Sequence, residues 1–185
     1  MNVPRKNIVV STKIYKISNS PNDVGMSRKH VIEGTRGSLK RLQLDYVDIV
    51  YAHKIDYDVP LEEQVRAFSW LIDNGLALYW GTSEWPVIKF EQACQIAEKL
   101  KLHKPVVEQC QYNMFWRERL EKEYKPLFER RNMATAIWSP LCGGFLSGKY
   151  NDGQIPEDSR GALMYKTGGH LAVRADKFFG ETSKD

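Results

Sequence analysis

Five short apolar runs, each ending in polar residues, set the strongest limit on what this chain can fold into. They are NIVVSTK ending at Lys13, DIVYAH at His53, ALYWGTS at Ser83, VVEQCQYN with Gln109 and Asn113, and TAIWS at Ser139. The runs begin near residues 7, 47, 76, 106 and 134. From the second onward the repeat is about thirty residues, room for one strand and one returning helix. Nearly continuous apolar and β-branched composition is the pattern of strands buried on both faces of a parallel sheet. Parallel strands joined by crossover helices all point one way, so their polar ends gather on one rim, where α/β folds place chemistry.

The segments between the runs have helical spacing. Ser27 is placed to cap a helix through RKHVIEGTRGSLKRLQL, with Ile32, Thr35, Leu39 and Leu42 on one face. Pro60 suits a first helical position, Glu62 and Glu63 match the N-terminal dipole, and Leu61, Val65, Phe68 and Ile72 form a stripe closed by Asn74 and Gly75. A third helix follows Pro86 with Ile88, Ala93, Ile96, Ala97 and Leu100 inward, and a fourth runs from about Arg117 to Arg131, bent or broken at Pro126. After Ser139 the Gly- and Pro-rich stretch LCGGFLSGKYNDGQIPEDSRG reads as a long loop, and a short helix is expected around Leu171 to Phe179. A closed barrel of eight such units takes roughly 250 residues, whereas this chain of 185 residues carries five. The fold expected is α/β, a partial (β/α)8 barrel.

Bulk properties narrow the function classes. Net charge is +4, but Lys and Arg alternate with Asp and Glu, as in ERLEKEYKPLFERR, so no single-sign patch for nucleic acid is present. Cys94, Cys110 and Cys142 form no C-x-x-C pair, no metal site is assigned, and MNVPRKN lacks the apolar run of a secretory signal, giving an expectation of a cytoplasmic chain with reduced thiols. No stretch approaches the roughly 18 apolar residues of a membrane span.

Two groups of residues could carry chemistry. Lys13 and His53 end successive strands, where an ammonium can stabilise a neighbouring anion and an imidazole can donate to a carbonyl oxygen. The second group is WSPLCGGFLSGKY. Its Gly143 to Lys149 has the letters of a nucleotide-phosphate loop, but Tyr150 stands where a Ser or Thr would hold magnesium, so an NTPase is excluded. Small residues such as Gly143 still let backbone N–H groups approach a phosphate, Lys149 and Arg160 add positive charge, and Trp138 offers a flat face for a cofactor ring. No G-x-G-x-x-G follows any strand, which argues against a Rossmann site.

The phrases SRKHVIEGTRGSLKRLQLDYVDIVYAH, YWGTSEW, VVEQCQYNMF and WSPLCGGFLSGKY resemble the aldo-keto reductases, especially the subgroup related to the β subunits of voltage-gated potassium channels. The resemblance covers most of residues 7 to 160. It implies a (β/α)8 barrel that binds NADPH without a Rossmann motif and reduces aldehydes or ketones by direct hydride transfer. The five units correspond to the family's third to seventh strands. The chain is then a single incomplete domain over 1–185, with βα units in 1–141, a cofactor loop in 142–161 and a C-terminal segment in 162–185.

Carried onto this sequence, the resemblance makes Lys13 the catalytic lysine and His53 the catalytic histidine. It sets Ser83 and Gln109 at the nicotinamide amide, Trp138 on the ring, Ser139, Pro140 and Leu141 along the cofactor, and Lys149 and Arg160 at the pyrophosphate. Three positions depart from the channel subgroup. Channel β subunits commonly have Asn where His53 stands and a basic residue where Glu84 stands, and Asp158 lies near their tyrosine in a loop one residue longer here. The family's proton-donating tyrosine and its aspartate precede the first strand of this chain, Tyr15 does not match that motif, and the 2′-phosphate grip falls beyond Asp185.

The expectation is thus a shortened NADPH-dependent reductase with open sheet edges, marginal stability without a partner, and little turnover alone. The alternative is a regulatory channel β subunit that binds NADPH and docks on a channel α subunit, associated with a membrane only through that partner. A third expectation is a degenerate product with no independent activity. A small carbonyl substrate and a homo-oligomer follow by family analogy.

Overall fold

A computed structural model describes residues 3–16 and 18–167. The expected helix around Leu171 to Phe179 lies outside these residues. The chain divides into two compact units, one of Met1–Gln111 with Arg117–Trp138, the other of Tyr112–Trp116 with Ser139–Asp185.

The first unit alternates strands and helices in the expected order: β1 (Ser11–Ile14), α1 (Arg28–Leu42), β2 (Val47–Ala52), α2 (Leu61–Asp73), β3 (Ala77–Ser83), α3 (Val87–Leu100), β4 (Val107–Gln111), α4 (Lys125–Arg131) and β5 (Ala134–Trp138). Each strand pairs in parallel with the next, giving one five-stranded sheet in sequential order, the architecture of a partial α/β barrel. One register row runs Lys13, Tyr51, Gly81, Val107, Ala134. Gly81 is the close-approach point of that row: a Cβ there would lie 2.4 Å from both the Val107 carbonyl oxygen and its Cγ1.

The alternate residues of the strands face the helices. Ile14, Val50, Ala52 and Trp80 join Val31, Leu39, Val65, Phe68 and Leu71 in the main core. There Trp80 stacks on Phe68 with ring centroids 5.0 Å apart and gives its indole N–H to the His103 carbonyl at 2.8 Å. A smaller cluster of Phe90, Cys94, Cys110, Tyr124, Leu127 and Met133 ties α3 and α4 to β4.

Local chemistry accounts for most boundaries. The Ser27 hydroxyl accepts the His30 N–H at 3.2 Å and starts α1. Pro60 is the N-cap of α2 rather than its first helical residue, Glu62 and Glu63 lie in the first turn, and Gly75, at φ +70, follows the C-cap Asn74. Pro126 breaks the fourth helix as expected, into a π-helical turn at Arg119–Glu123 followed by α4.

Several further expectations need correction. The first strand begins at Ser11, not near residue 7, because Arg5–Asn7 forms a 3-10 turn and the Asp48 carboxylate accepts the Val10 N–H at 2.7 Å and binds Arg5. The buried stripe of α3 is Phe90, Ala93, Cys94 and Ala97, which leaves Ile88 60% exposed, and that of α1 centres on Val31, Thr35 and Leu39, leaving Leu42 exposed. Burial on both faces holds for most of β2 and β4 but not for β1 and β5, the sheet edges, nor for the start of β3, where Tyr79 is 54% exposed. The long loop after Ser139 contains a 3-10 stretch, Cys142–Ser147, and a helix, α5 (Arg160–Thr167), whose N-terminus Ser159 caps by accepting the Ala162 N–H at 3.2 Å.

The second unit is organised around Tyr150. This buried side chain packs its ring 5.2 Å from that of Phe145 and accepts the Gly161 N–H at 3.0 Å, joining the 3-10 stretch to the start of α5.

Candidate active site

In the first unit, the parallel connectivity brings Lys13, His53, Ser83, Gln109 and Trp138 to one rim. Lys13 is the penultimate residue of β1, Ser83 and Trp138 end β3 and β5, and His53 directly follows β2, with its N–H on the Ile14 carbonyl at 3.1 Å. Ser83 pairs in register with Gln109 and donates its hydroxyl to the Gln109 carbonyl at 3.0 Å. The Lys13 ammonium donates to the Gln109 side-chain oxygen. Three strand spacings separate β1 from β4, about 14 Å in a flat sheet, so this contact requires the sheet to curl with both side chains on its concave face. The Lys13 ammonium also stands 5.8 Å from the centre of the Tyr51 ring.

Desolvation in this curl pulls the Lys13 pKa below the ordinary lysine value, while the negative charges of Glu84 and Glu108 oppose the shift. His53 is also lowered, first by desolvation and then by the positive charges of Lys13 and Lys54, with Glu84 acting the other way. Its imidazole is therefore biased toward the neutral form near pH 7, able to donate one N–H. The Tyr15 ring meets it edge-on at 6.2 Å.

Two carboxylates behind the rim were not identified as functional from the sequence. Glu84, the residue after β3, has a left-handed backbone at φ +59, which costs a non-glycine residue about 1–2 kcal/mol. Its Oε1 accepts the Gln111 N–H at 2.7 Å and the Trp138 indole N–H at 2.8 Å, and its Oε2 binds Arg119 at 2.8 Å. Glu108 lies on the helix-facing side of β4 and is only 1% exposed. Burial pushes its carboxyl up to about 7, against the hydrogen bonds from Thr82, the Trp85 N–H and Tyr124.

In the second unit, Ser139, Pro140 and Leu141 lead into the 3-10 stretch, with Ser139 at φ +55 and Leu141 exposed. The Ser139 carbonyl accepts the Asn113 side-chain N–H at 2.9 Å, and the Asn113 side-chain oxygen accepts the Phe115 N–H. Gly143 and Gly144 adopt φ of +71 and +104, and a Cβ on Gly144 would lie 2.7 Å from Lys149 Cε, so glycine there lets the lysine fold against the loop. The Lys149 ammonium stands 4.8 Å over the Tyr150 ring, and Arg160 opens α5. Sequence reading used Tyr150 only to exclude a magnesium site; its structural role came from long-range contacts.

Among the described residues no helix is long and apolar enough to cross a membrane, and no three His, Cys, Asp or Glu side chains are grouped to hold a metal ion.

A curled parallel sheet of βα units with polar residues at its C-terminal rim defines a segment of an α/β barrel. The chain matches the Aldo/keto reductase family over residues 1–176, and it belongs to that family. It is 52% identical over 159 residues to a probable voltage-gated potassium channel subunit beta of Oryza sativa subsp. japonica, covering 86% of this chain and 48% of that protein. A probable voltage-gated potassium channel subunit beta of Arabidopsis thaliana matches to the same extent, 52% over 159 residues, again 86% of this chain and 48% of the relative. A putative voltage-gated potassium channel subunit beta of Schizosaccharomyces pombe is 50% identical over 158 residues, 84% of this chain and 46% of that protein. The chain thus spans about half the length of the curated relatives it matches.

Proposed function

We propose that this chain forms the lysine, histidine and nicotinamide-facing part of an NADPH-dependent reductase acting on small aldehydes or ketones. The observation that carries this reading is the Lys13–Gln109 contact across the curled sheet, beside Ser83 on the same rim. The residues present fit the cofactor. With its oxygen on Lys13, the Gln109 carboxamide keeps two N–H donors for a ligand; Trp138 supplies a half-buried aromatic ring, and the Gly143–Gly144 stretch is a small-residue cradle beside Lys149. A reduced nicotinamide, when bound, supplies a hydride to a carbonyl carbon.

The chain's own residues do the rest of the work assigned here. Neutral His53 donates a hydrogen bond to the substrate oxygen and orients it. The Lys13 ammonium gives one of its three N–H groups to Gln109 and directs its charge at the site, where it lowers the pKa of an adjoining acid. Ser83, Gln109 and Trp138 hold the nicotinamide end. Ser139, Pro140, Leu141, Gly143, Lys149 and Arg160 are the further cofactor residues that the family resemblance implies.

The test is NADPH binding by the purified protein, followed by aldehyde-dependent NADPH oxidation. The expected result is that Trp138→Ala weakens NADPH binding, that Lys13→Met retains it, and that aldehyde-dependent oxidation by the wild-type chain alone stays near the Lys13→Met level, because no residue here matches the family's proton-donating tyrosine. Failure of the protein to bind NADPH would overturn the cofactor assignment, and oxidation well above the Lys13→Met control would overturn the expectation of little turnover alone.

A second reading is favoured by identities of 50–52% to proteins named as channel β subunits. In it the NADPH-binding chain is cytoplasmic, works as a homo-oligomer, and reports cofactor state to a potassium channel α subunit. Co-purification with a channel's cytoplasmic segment supports it; NADPH-linked turnover with no such association removes it.

A further inference from the structure

We propose that Glu84 is the positioning residue that fixes the Trp138 indole, and so presents the aromatic face on which the nicotinamide stacks. The cofactor half of this inference rests on the reading above; the linkage of carboxylate to indole does not.

Three donors from three elements converge on this one side chain. The Gln111 N–H belongs to the end of β4, the Trp138 indole N–H to the end of β5, and the Arg119 guanidinium to the π-helical turn. Gln111 and Trp138 are themselves cross-strand partners, so the carboxylate binds both ends of a register pair from the end of the neighbouring strand β3. An indole N–H donating to a charged acceptor at 2.8 Å makes a strong, directional bond and fixes the rotation of the ring.

Arg119 completes the arrangement. It holds Oε2 of Glu84 while pairing with Glu123 at 3.7 Å and lying 5.9 Å from the centre of the Tyr124 ring. With Oε2 tied to Arg119, Oε1 remains directed at the indole and the Gln111 N–H. The backbone carries the same signature. Glu84 adopts φ +59 where glycine or asparagine would be the unstrained choice, and its own N–H bonds the Gln109 carbonyl at 3.1 Å. A strand end serving only as a turn gains nothing from a carboxylate in that conformation. A residue that must deliver a charge to the base of an aromatic ring does.

The experiment uses Glu84→Ala and Glu84→Gln, the second because its amide oxygen can still accept the indole N–H. The first readout is the Trp138 indole N–H resonance of the protein alone, assigned by its loss in Trp138→Phe. The second is the dissociation constant for NADPH, with far-UV circular dichroism confirming the fold. In Glu84→Ala the resonance moves, the indole proton exchanges at least tenfold faster, and NADPH binds roughly tenfold more weakly. Glu84→Gln restores most of the exchange protection and binds NADPH within about threefold of wild type.

An unmoved indole resonance in Glu84→Ala would overturn the proposal, as would a moved resonance with unchanged NADPH affinity. If the wild-type protein fails to bind NADPH, the cofactor reading is refuted instead, and the indole resonance alone decides whether Glu84 positions the ring.

Discussion

Glu108 is predicted to make the protein lose stability as pH rises from about 4.5 to neutrality. Glu108 is nearly fully buried, with its carboxyl raised from an ordinary 4.5 to about 7. The hydrogen bonds offset the burial only in part, since the Tyr124 hydroxyl shares its one proton between the Trp85 carbonyl at 2.6 Å and Glu108 Oε1 at 3.2 Å. For an acid whose folded pKa lies above its unfolded value, the folded state binds the extra proton between the two. Stability therefore falls across that interval and levels off above it. A gap of about 2.5 pH units corresponds to roughly 3 kcal/mol in all, of which about 2.5 kcal/mol is lost between pH 5 and pH 8. Glu108→Gln keeps a neutral donor and acceptor at the site and removes the titration. Urea unfolding of both proteins at pH 5 and pH 8 isolates the effect, since every other group cancels in the double difference. Relative to wild type, Glu108→Gln should gain about 2.5 kcal/mol on going from pH 5 to pH 8. A double difference below about 0.5 kcal/mol would show that Glu108 is already ionised in the fold at pH 5, and the argument from burial would fail.

Other consequences are equally direct. Gly81→Ala drives a methyl group into the Val107 backbone and should lower stability by about 2–3 kcal/mol, a fall in Tm of roughly 5–10 °C; a shift under 2 °C would refute the close approach. Burial pushes the Cys94 and Cys110 thiols up to about 11 and about 12, so both should resist alkylation at pH 8 until the protein unfolds; rapid labelling of the native protein would contradict this. Arg131 joins α4 to α3 through Glu91 and Glu98 at 16% side-chain exposure, and Arg131→Ala should cost about 2 kcal/mol in urea unfolding, with an equal cost for Arg131→Lys arguing for loss of the paired fork rather than charge. Because Glu84 and Glu108 both raise the Lys13 pKa, Glu84→Gln should lower it further, as read by NMR titration of the Lys13 side chain; an unchanged or higher value would mean that the two groups do not share a field.

Much of this architecture is legible in the sequence because the signals are local. The α2 segment has acidic residues in its first turn, one clear stripe and a stop at Asn74 and Gly75, and it formed within a residue of the expected position. Only the start of the α3 stripe departs from expectation: Ala93 and Ala97 are buried, but Ile88 and Phe90 compete for the inward direction, and packing in the cluster with β4 selects Phe90. The start of β1 was misplaced because Asp48, distant in sequence, takes the Val10 N–H with its side chain. α5 was missed because Ser159 sits in a turn-rich stretch where a capping serine looks like any other loop residue. The hub at Glu84 was out of reach for a different reason: its partners lie 27, 35 and 54 residues away, and no periodicity encodes such a convergence.

Two residues behind the rim break local rules. Glu84 accepts a left-handed conformation, and Glu108 places a carboxyl in the helix-facing core, where an apolar side chain would cost nothing to bury. Sequences selected only for stability would remove both, since glycine or asparagine relieves the first and leucine or glutamine the second. Both charges act on Lys13, whose desolvation works against its protonated form. Retaining a cation at the concave rim therefore needs negative charge nearby that does not occupy the rim itself. Glu84 meets that need from the strand end, where Trp138 and Arg119 hold it, and Glu108 adds to it from the opposite face of β4 once it ionises above about pH 7. The local costs at these two positions and the field at Lys13 are then one arrangement, which is the pattern expected where a fold gives up stability for a functional site.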